Sequence, residues 1–220
     1  MNLLVLGPQG SGKGTQAKRI SAAHGIPHVS TGDMFRAAVA AGTELGLRVE
    51  PILVSGDLVP DDLTVALIRE RLSEQDARDG FVLDGFPRNL AQAEALDGML
   101  DGLGRRIAAV VVFDIELEEV VRRLSGRRVC RAAEHVYHVE FHPPKDEGVC
   151  DEDGSELYQR DDDREDVVRA RYEKQWLEAA APVLQYYSSH GLVQRIDASR
   201  PKDVVAREVD ELIDGAGGGR

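Results

Sequence analysis

Residues 7–15 read Gly7-Pro8-Gln9-Gly10-Ser11-Gly12-Lys13-Gly14-Thr15, and they directly follow an apolar run at residues 3–6. The glycines allow successive backbone N–H groups to converge on an anion, and a helix beginning at Lys13 adds partial positive charge there. Lys13 can reach the outer phosphates of a nucleotide. The general phosphate-loop pattern has a hydroxyl residue right after the lysine, whereas here Gly14 intervenes before Thr15. The stretch predicts a nucleotide-phosphate site.

Apolar runs that resemble buried strands alternate with helical stretches along the rest of the chain. The runs lie at residues 3–6, 27–29, 80–83, 107–113 and 192–196. Continuous apolar character is typical of strands that are buried on both faces of a parallel sheet covered by helices. The predicted fold class is therefore α/β.

Two stretches interrupt this alternation. Residues 30–59 contain two short helical segments separated by glycine, and residues 126–163 contain the alternating run Val136-Tyr137-His138-Val139-Glu140-Phe141. The second stretch predicts a small inserted β-ribbon, which we expect to be mobile because so few strands bury little apolar surface. The glycine-rich end at residues 215–219 is predicted to be flexible.

Composition and charge exclude several classes of protein. The chain has 220 residues and a formal charge of −12, which opposes general binding to nucleic acid. Its apolar runs are shorter than the roughly 20 residues that a membrane span needs, and its start does not resemble a signal peptide. Two cysteines are too few for a disulfide framework, which favours a cytoplasmic protein. Arginines number 22 and lysines only 5, and the arginine guanidinium suits phosphate recognition.

The run Phe81-Val82-Leu83-Asp84 ends the third predicted strand with a carboxylate. Ligands of parallel α/β sheets gather at the carboxyl ends of the strands. We therefore expect Asp84, together with Thr15, to hold Mg²⁺ directly or through water. The alternative is that Asp84 caps the following segment.

Several motifs together resemble the adenylate kinases in their long-lid form, and they follow the order of that family from residue 1 to about 213. The motifs are the loop at residues 7–15, Ser30-Thr31-Gly32-Asp33-Met34 with Arg36, Asp57-Leu58-Val59-Pro60-Asp61, Asp84-Gly85-Phe86-Pro87-Arg88 with Gln92, Gly126-Arg127-Arg128, Val136-Tyr137-His138, Pro143-Pro144-Lys145, and Arg160-Asp161-Asp162-Asp163 with Arg171.

The resemblance implies a P-loop three-layer α/β/α fold with a five-stranded parallel sheet. It implies a core at residues 1–29, 60–125 and 164–220, a nucleoside-monophosphate arm at residues 30–59 and a lid at residues 126–163. The implied reaction is MgATP + AMP ⇌ 2 ADP by direct in-line transfer, with closure of arm and lid excluding water. The implied partners are ATP, AMP and ADP, and the implied state is a cytoplasmic monomer without nucleic-acid or membrane partners.

The resemblance also assigns roles to individual residues of this chain. The residues implied to be catalytic are Lys13, Arg88, Arg123, Arg160 and Arg171. Those implied to bind ATP are Gly10, Ser11, Gly12, Lys13, Gly14, Thr15, Arg127, Val136, Tyr137 and, through its backbone, Arg200. Those implied to bind AMP are Thr31, Arg36, Asp57, Leu58, Val59, Gly85, Phe86, Pro87, Arg88, Gln92, Arg160 and Arg171, with Gln92 reading the adenine edge.

Many members of this family carry a four-ligand zinc site in the lid. The corresponding positions here are Cys130, Ala133, Cys150 and Asp153, so one ligand is missing. We expect two thiols without metal in a hydrogen-bonded ribbon. The alternatives are a zinc site completed by Glu134, His135 or His138, and a Cys130–Cys150 disulfide under oxidising conditions.

Three other functions compete with this interpretation. Another nucleoside monophosphate kinase is the nearest, although Gln92 and the long lid favour AMP. A small-metabolite kinase has no reason to keep the motif at residues 84–88. A P-loop switch or binding module without turnover gives no role to Arg160 and Arg171, and the guanine-selecting Asn-Lys-x-Asp motif is absent from the sequence.

Overall fold

The computed structural model describes residues 1–133 and 135–217. The strands are β1 (Asn2–Leu6), β2 (His28–Ser30), β3 (Phe81–Asp84), β4 (Ala109–Asp114), β5 (Arg127–Cys130), β6 (Val136–His138), β7 (Leu157–Tyr158) and β8 (Val193–Asp197). The helices are α1 (Lys13–His24), α2 (Thr31–Ala40), α3 (Glu44–Ser55), α4 (Asp61–Ser73), α5 (Leu90–Asp101), α6 (Leu117–Ser125), α7 (Glu165–Arg171), α8 (Ala180–Ser189) and α9 (Lys202–Gly217). Short 3₁₀ turns occupy Gln75–Ala77 and Asp161–Asp163.

Five strands form one parallel sheet in the order β2-β3-β1-β4-β8. The central strand β1 places Leu4 opposite Leu83 of β3 on one side and opposite Val110 of β4 on the other. These strands coincide, within two residues at either end, with the five apolar runs of the sequence. The α/β class with a five-stranded parallel sheet is therefore confirmed, and the carboxyl ends of the strands meet along one edge.

The sheet is covered by helices on both faces. Successive residues of β1 point to opposite faces, so that Leu3 packs with Ile20 of α1 in one apolar cluster and Leu4 packs with Leu96 of α5 in another. All four side chains are at most 1% exposed. Two apolar layers on a central sheet make the three-layer α/β/α arrangement that the resemblance implies, and they hold the edge of the sheet rigid.

Helices α2 and α3 lie side by side as a small unit. Their apolar residues form a separate cluster around Phe35, Val49 and Val59. A Cβ atom on Gly46 would lie only 2.1 Å from the Ala38 carbonyl oxygen, so glycine at this position allows the two helices to approach closely. The two predicted helices of residues 30–59 are present, while the limits of this arm as a domain stay a prediction.

Strands β5, β6 and β7 form a second, antiparallel sheet in the order β6-β5-β7. Its apolar cluster consists of Cys130, Tyr137, Cys150 and Leu157. The inserted β structure is thus present, but the strand predicted over residues 136–141 ends at residue 138. It ends there because the backbone of His138 exchanges hydrogen bonds with that of His142 across a turn. The limits of this lid also stay a prediction.

The two C-terminal helical stretches differ in part from expectation. The sequence from Arg164 to about Ser189 has the pattern of one long helix, and the structure is helical from Glu165 to Ser189, but its centre, Tyr172–Ala179, is a π-helical segment between α7 and α8. Helix α9 continues through Gly217, so residues 215–217 are helical where we predicted flexibility, and Gly218 and Gly219 lie outside the described residues. None of the described helices has both the length and the apolar character that crossing a membrane requires.

Candidate active site

The glycine-rich loop joins the end of β1 to the start of α1. Gly10 and Gly12 have φ angles of +79° and +86°, in the left-handed region that favours glycine. A Cβ atom on Gly10 would lie 2.9 Å from Cγ of Leu124, so the loop rests tightly on α6. No side chain caps the N-terminus of α1, and the buried Oγ of Ser11 has no hydrogen-bond partner among the described residues. The loop therefore offers unsatisfied groups to an anion.

The amino group of Lys13 lies inside this loop and donates a hydrogen bond to the Pro8 carbonyl oxygen at 3.2 Å. Burial lowers the pKa of Lys13 below its usual value. Asp84 counteracts this effect in part, whereas the charges of Arg88 and Arg171 add to it. The cation is thus held in surroundings that lack sufficient negative charge.

Asp84 ends β3 at the edge of the sheet where the loop lies. Its Oδ2 atom is 3.4 Å from Nε2 of His28, and a Cβ atom on Gly14 would lie 3.2 Å from the same oxygen. Glycine at position 14 therefore leaves room for the carboxylate, which gives a reason for the departure from the general phosphate-loop pattern. Asp84 and Thr15 both line the cleft described next. A carboxylate and a hydroxyl are oxygen donors that suit Mg²⁺.

A cleft of about 1000 Å³ opens above the loop, and it is lined by Lys13 and many arginines. The lining arginines are Arg36, Arg88, Arg123, Arg127, Arg160, Arg171 and Arg200. The structure thus brings together all five residues for which the resemblance implies a catalytic role, although they come from distant parts of the sequence. Positive charge is concentrated here in a protein whose net charge is −12.

Arg88 lies at the centre of this group. Its Nε donates to the Gly85 carbonyl oxygen at 2.8 Å, and its Nη1 donates to Oε1 of Gln175 at 3.0 Å. Burial lowers the pKa of Arg88 to about 10, and the neighbouring charge of Arg171 contributes further. Arg88 still carries its charge at neutral pH, at a cost that a bound anion would remove.

Three other arginines carry buried donors without partners. The Nε atoms of Arg36, Arg160 and Arg171 are inaccessible to solvent and have no hydrogen-bond partner among the described residues. Their terminal nitrogens are only partly paired, as in the 2.5 Å contact of Arg171 with Asp162. A buried donor without a partner costs about 1–3 kcal/mol. A ligand with several oxygens, such as a phosphate group, would satisfy these donors.

Acidic residues of the 3₁₀ turn partly neutralise the cleft. Both carboxylate oxygens of Asp163, whose side chain is fully buried, accept hydrogen bonds from Arg127, at 2.8 and 2.5 Å. Burial raises the pKa of Asp163. For Asp162 burial acts in the same direction, but Arg171 and other arginines outweigh it and lower the pKa. Gln9 of the loop donates to both carboxylates, and its buried Oε1 has no partner in the described part of the chain.

Arg123, for which the resemblance implies a catalytic role, lines the cleft together with three residues implied to bind ATP. Arg123 donates to Glu119 at 2.8 Å and to the Ala198 carbonyl oxygen at 2.9 Å. Arg200 is at the rim, where it forms an ion pair with Glu208. In the lid sheet, Val136 and Tyr137 also line the cleft. Both arginines therefore have protein partners that a nucleotide would have to displace or share.

A second cavity of about 500 Å³ adjoins the first and carries most of the residues implied to bind AMP. Those lining it are Thr31, Arg36, Asp57, Leu58, Val59, Arg88, Gln92, Arg160 and Arg171. Gly85 and Pro87 line the first cleft instead. Phe86 lines neither cavity because its side chain is fully buried in the core. The four arginines Arg36, Arg88, Arg160 and Arg171 border both cavities, so they lie where two sets of phosphates would meet.

Gln92 is held in one orientation before any ligand binds. Its Nε2 donates to Asp61 at 2.7 Å, and its Oε1 accepts from the backbone N–H of Arg88 at 2.8 Å. One N–H and one lone pair of the amide are left for a ligand. A side chain fixed in this way can discriminate between bases, because it cannot turn its amide to suit a different edge.

Several lining residues were missed by the sequence analysis. Phe141 and His142 line the first cleft, and His142 stacks on Tyr137 with ring centroids 5.6 Å apart. Gln175 and Trp176 line it from the π-helical segment. The aromatic and imidazole side chains just beyond Tyr137 were a signal for stacking. For the helix, the only local signal is Pro182, which lies seven residues after Gln175 and does not show which side chains face the cleft.

The lid sheet holds a separate cluster of polar side chains. Ligand atoms of Cys130, His135, Cys150 and Asp153 all lie within 4.8 Å of one another. Sγ of Cys130 is 3.3 Å from an Asp153 oxygen, and Nδ1 of His135 is 3.2 Å from Sγ of Cys150 and 3.6 Å from Asp153. His135 thus occupies the place left by Ala133. Both cysteines are free thiols, and Glu134 lies outside the described residues. His138 instead accepts two backbone hydrogen bonds in the turn at residues 138–142.

Comparison with known proteins adds an independent observation. A family profile described as adenylate kinase matches residues 5–192. The chain is 48% identical over 214 residues to the adenylate kinase of Archaeoglobus fulgidus, which covers 97% of this chain and 98% of the relative. It is 49% identical over 214 residues to that of Streptomyces coelicolor, with coverage of 97% and 98%, and 50% identical over 209 residues to that of Kosmotoga olearia, with coverage of 95% and 97%.

Proposed function

Because the chain belongs to the adenylate kinase family, we propose that its two adjoining cavities hold ATP and AMP together for direct phosphoryl transfer. The chain is a nucleoside monophosphate kinase that catalyses ATP + AMP ⇌ 2 ADP. In this proposal the larger cleft takes ATP and the smaller cavity takes AMP. The observation that carries it is the group of arginines that border both cavities with buried, unpartnered donors.

The reaction requires positioning and charge neutralisation rather than proton transfer. The acceptor is an oxygen of the AMP phosphate, which is largely ionised at neutral pH because its second pKa is about 6. No general base is therefore needed. The difficulty is to bring two polyanions into line and to stabilise the charge that spreads over the transferred phosphoryl group.

We assign these tasks to the lining side chains. Lys13 and the loop N–H groups hold the outer phosphates of ATP, and Arg88 together with Arg171 neutralises the group in transfer. Magnesium bound with ATP supplies further neutralisation at the phosphate oxygens, and Asp84 with Thr15 would hold it. Arg36 orients the AMP phosphate. A site of this composition needs no covalent intermediate.

Exclusion of water follows from the position of the two appendages. Arm residues line the smaller cavity, and so do lid residues such as Arg131 and Tyr158. Closure of both over bound substrates would keep water, the competing acceptor, away from the phosphoryl group. We also propose a monomer, because a single chain brings together the residues that line both cavities. The proposed cytoplasmic location rests on the presence of only two cysteines in the sequence. Light scattering after gel filtration tests the oligomeric state.

Gln92 supports AMP as the preferred acceptor. Its amide is fixed by Asp61 and by the Arg88 backbone, and it retains one donor and one acceptor. Adenine presents a donor and an acceptor along one edge, so a fixed amide can form two hydrogen bonds with it. A base with a different order of donors and acceptors would leave a buried group unpaired.

We further propose that the lid cluster holds a zinc ion, which is one of the two alternatives that the sequence leaves to metal-free thiols. Two thiols, an imidazole and a carboxylate are a four-ligand set that zinc accepts. Three of the distances between ligand atoms are 3.2 to 3.6 Å, which suits a central ion with bonds of about 2.0–2.3 Å, and all pairs lie within 4.8 Å. The other ring nitrogen of His135 lies 3.8 Å from Glu152, where a carboxylate would orient the imidazole. Zinc would there act on the stability of the lid and not on the reaction.

The test of the main function is an assay for ADP with purified protein. We expect ADP to form from ATP plus AMP with Mg²⁺, and no ADP when AMP is omitted. Replacement of AMP by GMP, CMP or UMP should reduce kcat/KM by at least roughly 100-fold. Activity that ignores AMP would contradict the assignment, and equal activity with another monophosphate would identify a different nucleoside monophosphate kinase.

A further inference from the structure

Gln175, in the π-helical segment Tyr172–Ala179, lines the larger cleft and forms hydrogen bonds to two residues that line the smaller cavity. Its Oε1 accepts the 3.0 Å hydrogen bond from Nη1 of Arg88, and its Nε2 donates to the carbonyl oxygen of Gly56. Neither the motifs of the sequence nor the family resemblance assigned a role to this residue. One amide thus connects a phosphate-binding arginine with the backbone of the arm.

The helix around Gln175 departs from α geometry for a local reason. Pro182, in the first turn of α8, has no N–H to donate to the carbonyl of Glu178, and its ring crowds that carbonyl. The preceding eight residues form i→i+5 hydrogen bonds instead. Such π-helical turns are rare, and they occur frequently at functional sites. Here the segment contributes Gln175 and Trp176 to the wall of the cleft.

The acceptor of the second hydrogen bond lies where the arm meets the core. Gly56 ends α3 with a φ of +74°, and Asp57, Leu58 and Val59 follow it along the smaller cavity. A Cβ atom on Gly56 would lie 2.8 Å from the side chain of Arg171. Arm backbone and α7 are therefore in close contact, and a displacement of the arm at Gly56 must alter the hydrogen bond to Gln175.

We propose that Gln175 is a positioning residue that couples the arm to Arg88. When the arm holds AMP, the Gly56 carbonyl fixes the Gln175 amide, and the amide oxygen then fixes the guanidinium of Arg88 for phosphate binding. The proposal rests on the function proposed above for the two cavities.

The amide of Gln175 suits this role. It combines a donor for Gly56 with a neutral acceptor for Arg88, whereas a carboxylate has no donor and a lysine has no acceptor. The neighbouring Lys174 also approaches the arm, at 3.9 Å from Asp57, but both side chains are more than half exposed. Lys174 therefore makes a solvent-screened contact and provides a matched control.

The experiment compares Gln175→Met, Gln175→Glu and the control Lys174→Met. We expect Gln175→Met to raise KM for AMP by about fivefold and to lower kcat, which corresponds to the net loss of one or two hydrogen bonds. KM for ATP should rise less than KM for AMP, because the hydrogen bond from Gln175 to the arm ends on Gly56, which lines only the smaller cavity. Gln175→Glu, which keeps an acceptor for Arg88 and loses the donor to Gly56, should show the same rise in KM for AMP with a smaller loss of kcat. Lys174→Met should resemble the wild type.

Trp176 supplies a direct readout, because it is the only tryptophan of the chain and lines the cleft beside Gln175. We expect AMP to change its emission in the wild type and to do so at about fivefold higher concentration in both Gln175 variants. Wild-type constants in Gln175→Met, or equal rises in KM for ATP and AMP, would overturn the proposal. If Gln175→Met melts several degrees lower than the wild type, its kinetic constants are set aside, and the KM for AMP of Gln175→Glu decides whether the proposal holds. Absence of AMP-dependent ADP formation in the wild type would instead refute the proposed function itself.

Discussion

The arginines of the cleft and the four-residue cluster of the lid are both groups of polar side chains without enough partners. The arginines lack hydrogen-bond acceptors, whereas the lid cluster lacks a positively charged partner. In the cleft, guanidinium donors exceed the available acceptors, and buried Nε atoms of three arginines have no partner among the described residues. In the lid, two sulfur atoms, an imidazole nitrogen and a carboxylate converge on one point. The first group calls for an anion and the second for a cation.

The two groups also differ in what supports them. The cleft lies at the edge of a parallel sheet that is buried between two apolar layers. The lid sheet has only a small apolar cluster, which includes two of the four ligand residues themselves. Substitutions in the cleft should therefore affect the reaction and spare the fold. Substitutions in the lid cluster should affect local stability first.

The largest effect should come from Arg88→Met, which keeps much of the side-chain volume and removes the charge. We expect kcat/KM to fall about 10³-fold, since one well-placed donor to a developing charge contributes that much. The melting temperature should not fall, because the buried cation has a lowered pKa and is itself unfavourable in the empty protein. Arg195→Met is the matched control. Arg195 lies on the outer strand β8, and its guanidinium pairs with Asp114 of β4 at 2.8 Å. Near-normal activity of a folded Arg88→Met protein would refute the role of Arg88.

Removal of metal from the lid cluster should have the next largest effect, and this effect should be on the melting temperature. Protein purified without chelators should contain about one zinc per chain, and a strong chelator should lower its melting temperature by several degrees. His135→Ala should lose the metal, and adding Ala133→Cys to it should restore binding through a thiolate three residues after Cys130. Cobalt replacing zinc should show thiolate-to-metal absorption in the wild type and not in His135→Ala.

His24→Ala, outside the cluster, is the control for this series. If the purified protein contains no metal and a chelator does not change its melting temperature, the cluster holds no zinc. The two cysteines are then hydrogen-bonded thiols, as the sequence predicts. Equal metal content in the wild type and His135→Ala would exclude His135 as the fourth ligand and point to another side chain.

The sequence predicted the sheet and the composition of the cleft for identifiable reasons. The apolar runs are local signals, and the phosphate loop at residues 7–15 has geometry that its own glycines dictate. The convergence of Arg36, Arg88, Arg160 and Arg171 depends on chain topology, and only the family resemblance supplied it. The buried position of Phe86 was missed because a motif does not state which of its side chains face the ligand.

The remaining differences arise from contacts between distant residues. The sequence left Glu134, His135 and His138 as candidates for the fourth zinc ligand, and spacing alone did not choose among them. In the structure the Cys130 N–H donates to the His135 carbonyl oxygen, which brings the His135 ring beside Cys150. The strand at residues 136–138 ends early because His138 bonds to His142. Alternating apolar character cannot distinguish such a turn from two more residues of strand. Pro182 signals a disturbed helix, but it does not predict that the preceding eight residues become π-helical.

The pH dependence of ATP use tests whether positive charge in the cleft lacks enough negative partners. Burial lowers the pKa of Lys13 from its usual 10.5, so its charge is lost at a lower pH than in an exposed lysine. Because kcat/KM reports the free enzyme, kcat/KM for ATP should fall on the alkaline side before pH 10.5, by up to about tenfold. Lys13→Arg should move that fall to higher pH. An unchanged profile in Lys13→Arg would show that another group causes the fall.

The smallest effect should come from Arg200→Ala, although Arg200 lines the same cleft as Arg88. Its side chain is half exposed and pairs with Glu208, and the family resemblance implies a contact to ATP through the backbone alone. We expect KM for ATP to change by less than about twofold, which is the range of an exposed ion pair. Arg127→Ala is the comparison, because Arg127 is bound by the buried Asp163 and its loss would leave that carboxylate without its partner. If KM for ATP rises tenfold or more in Arg200→Ala, the pairing with Glu208 does not keep Arg200 from acting on the nucleotide. Location in the cleft would then decide which arginines act on it.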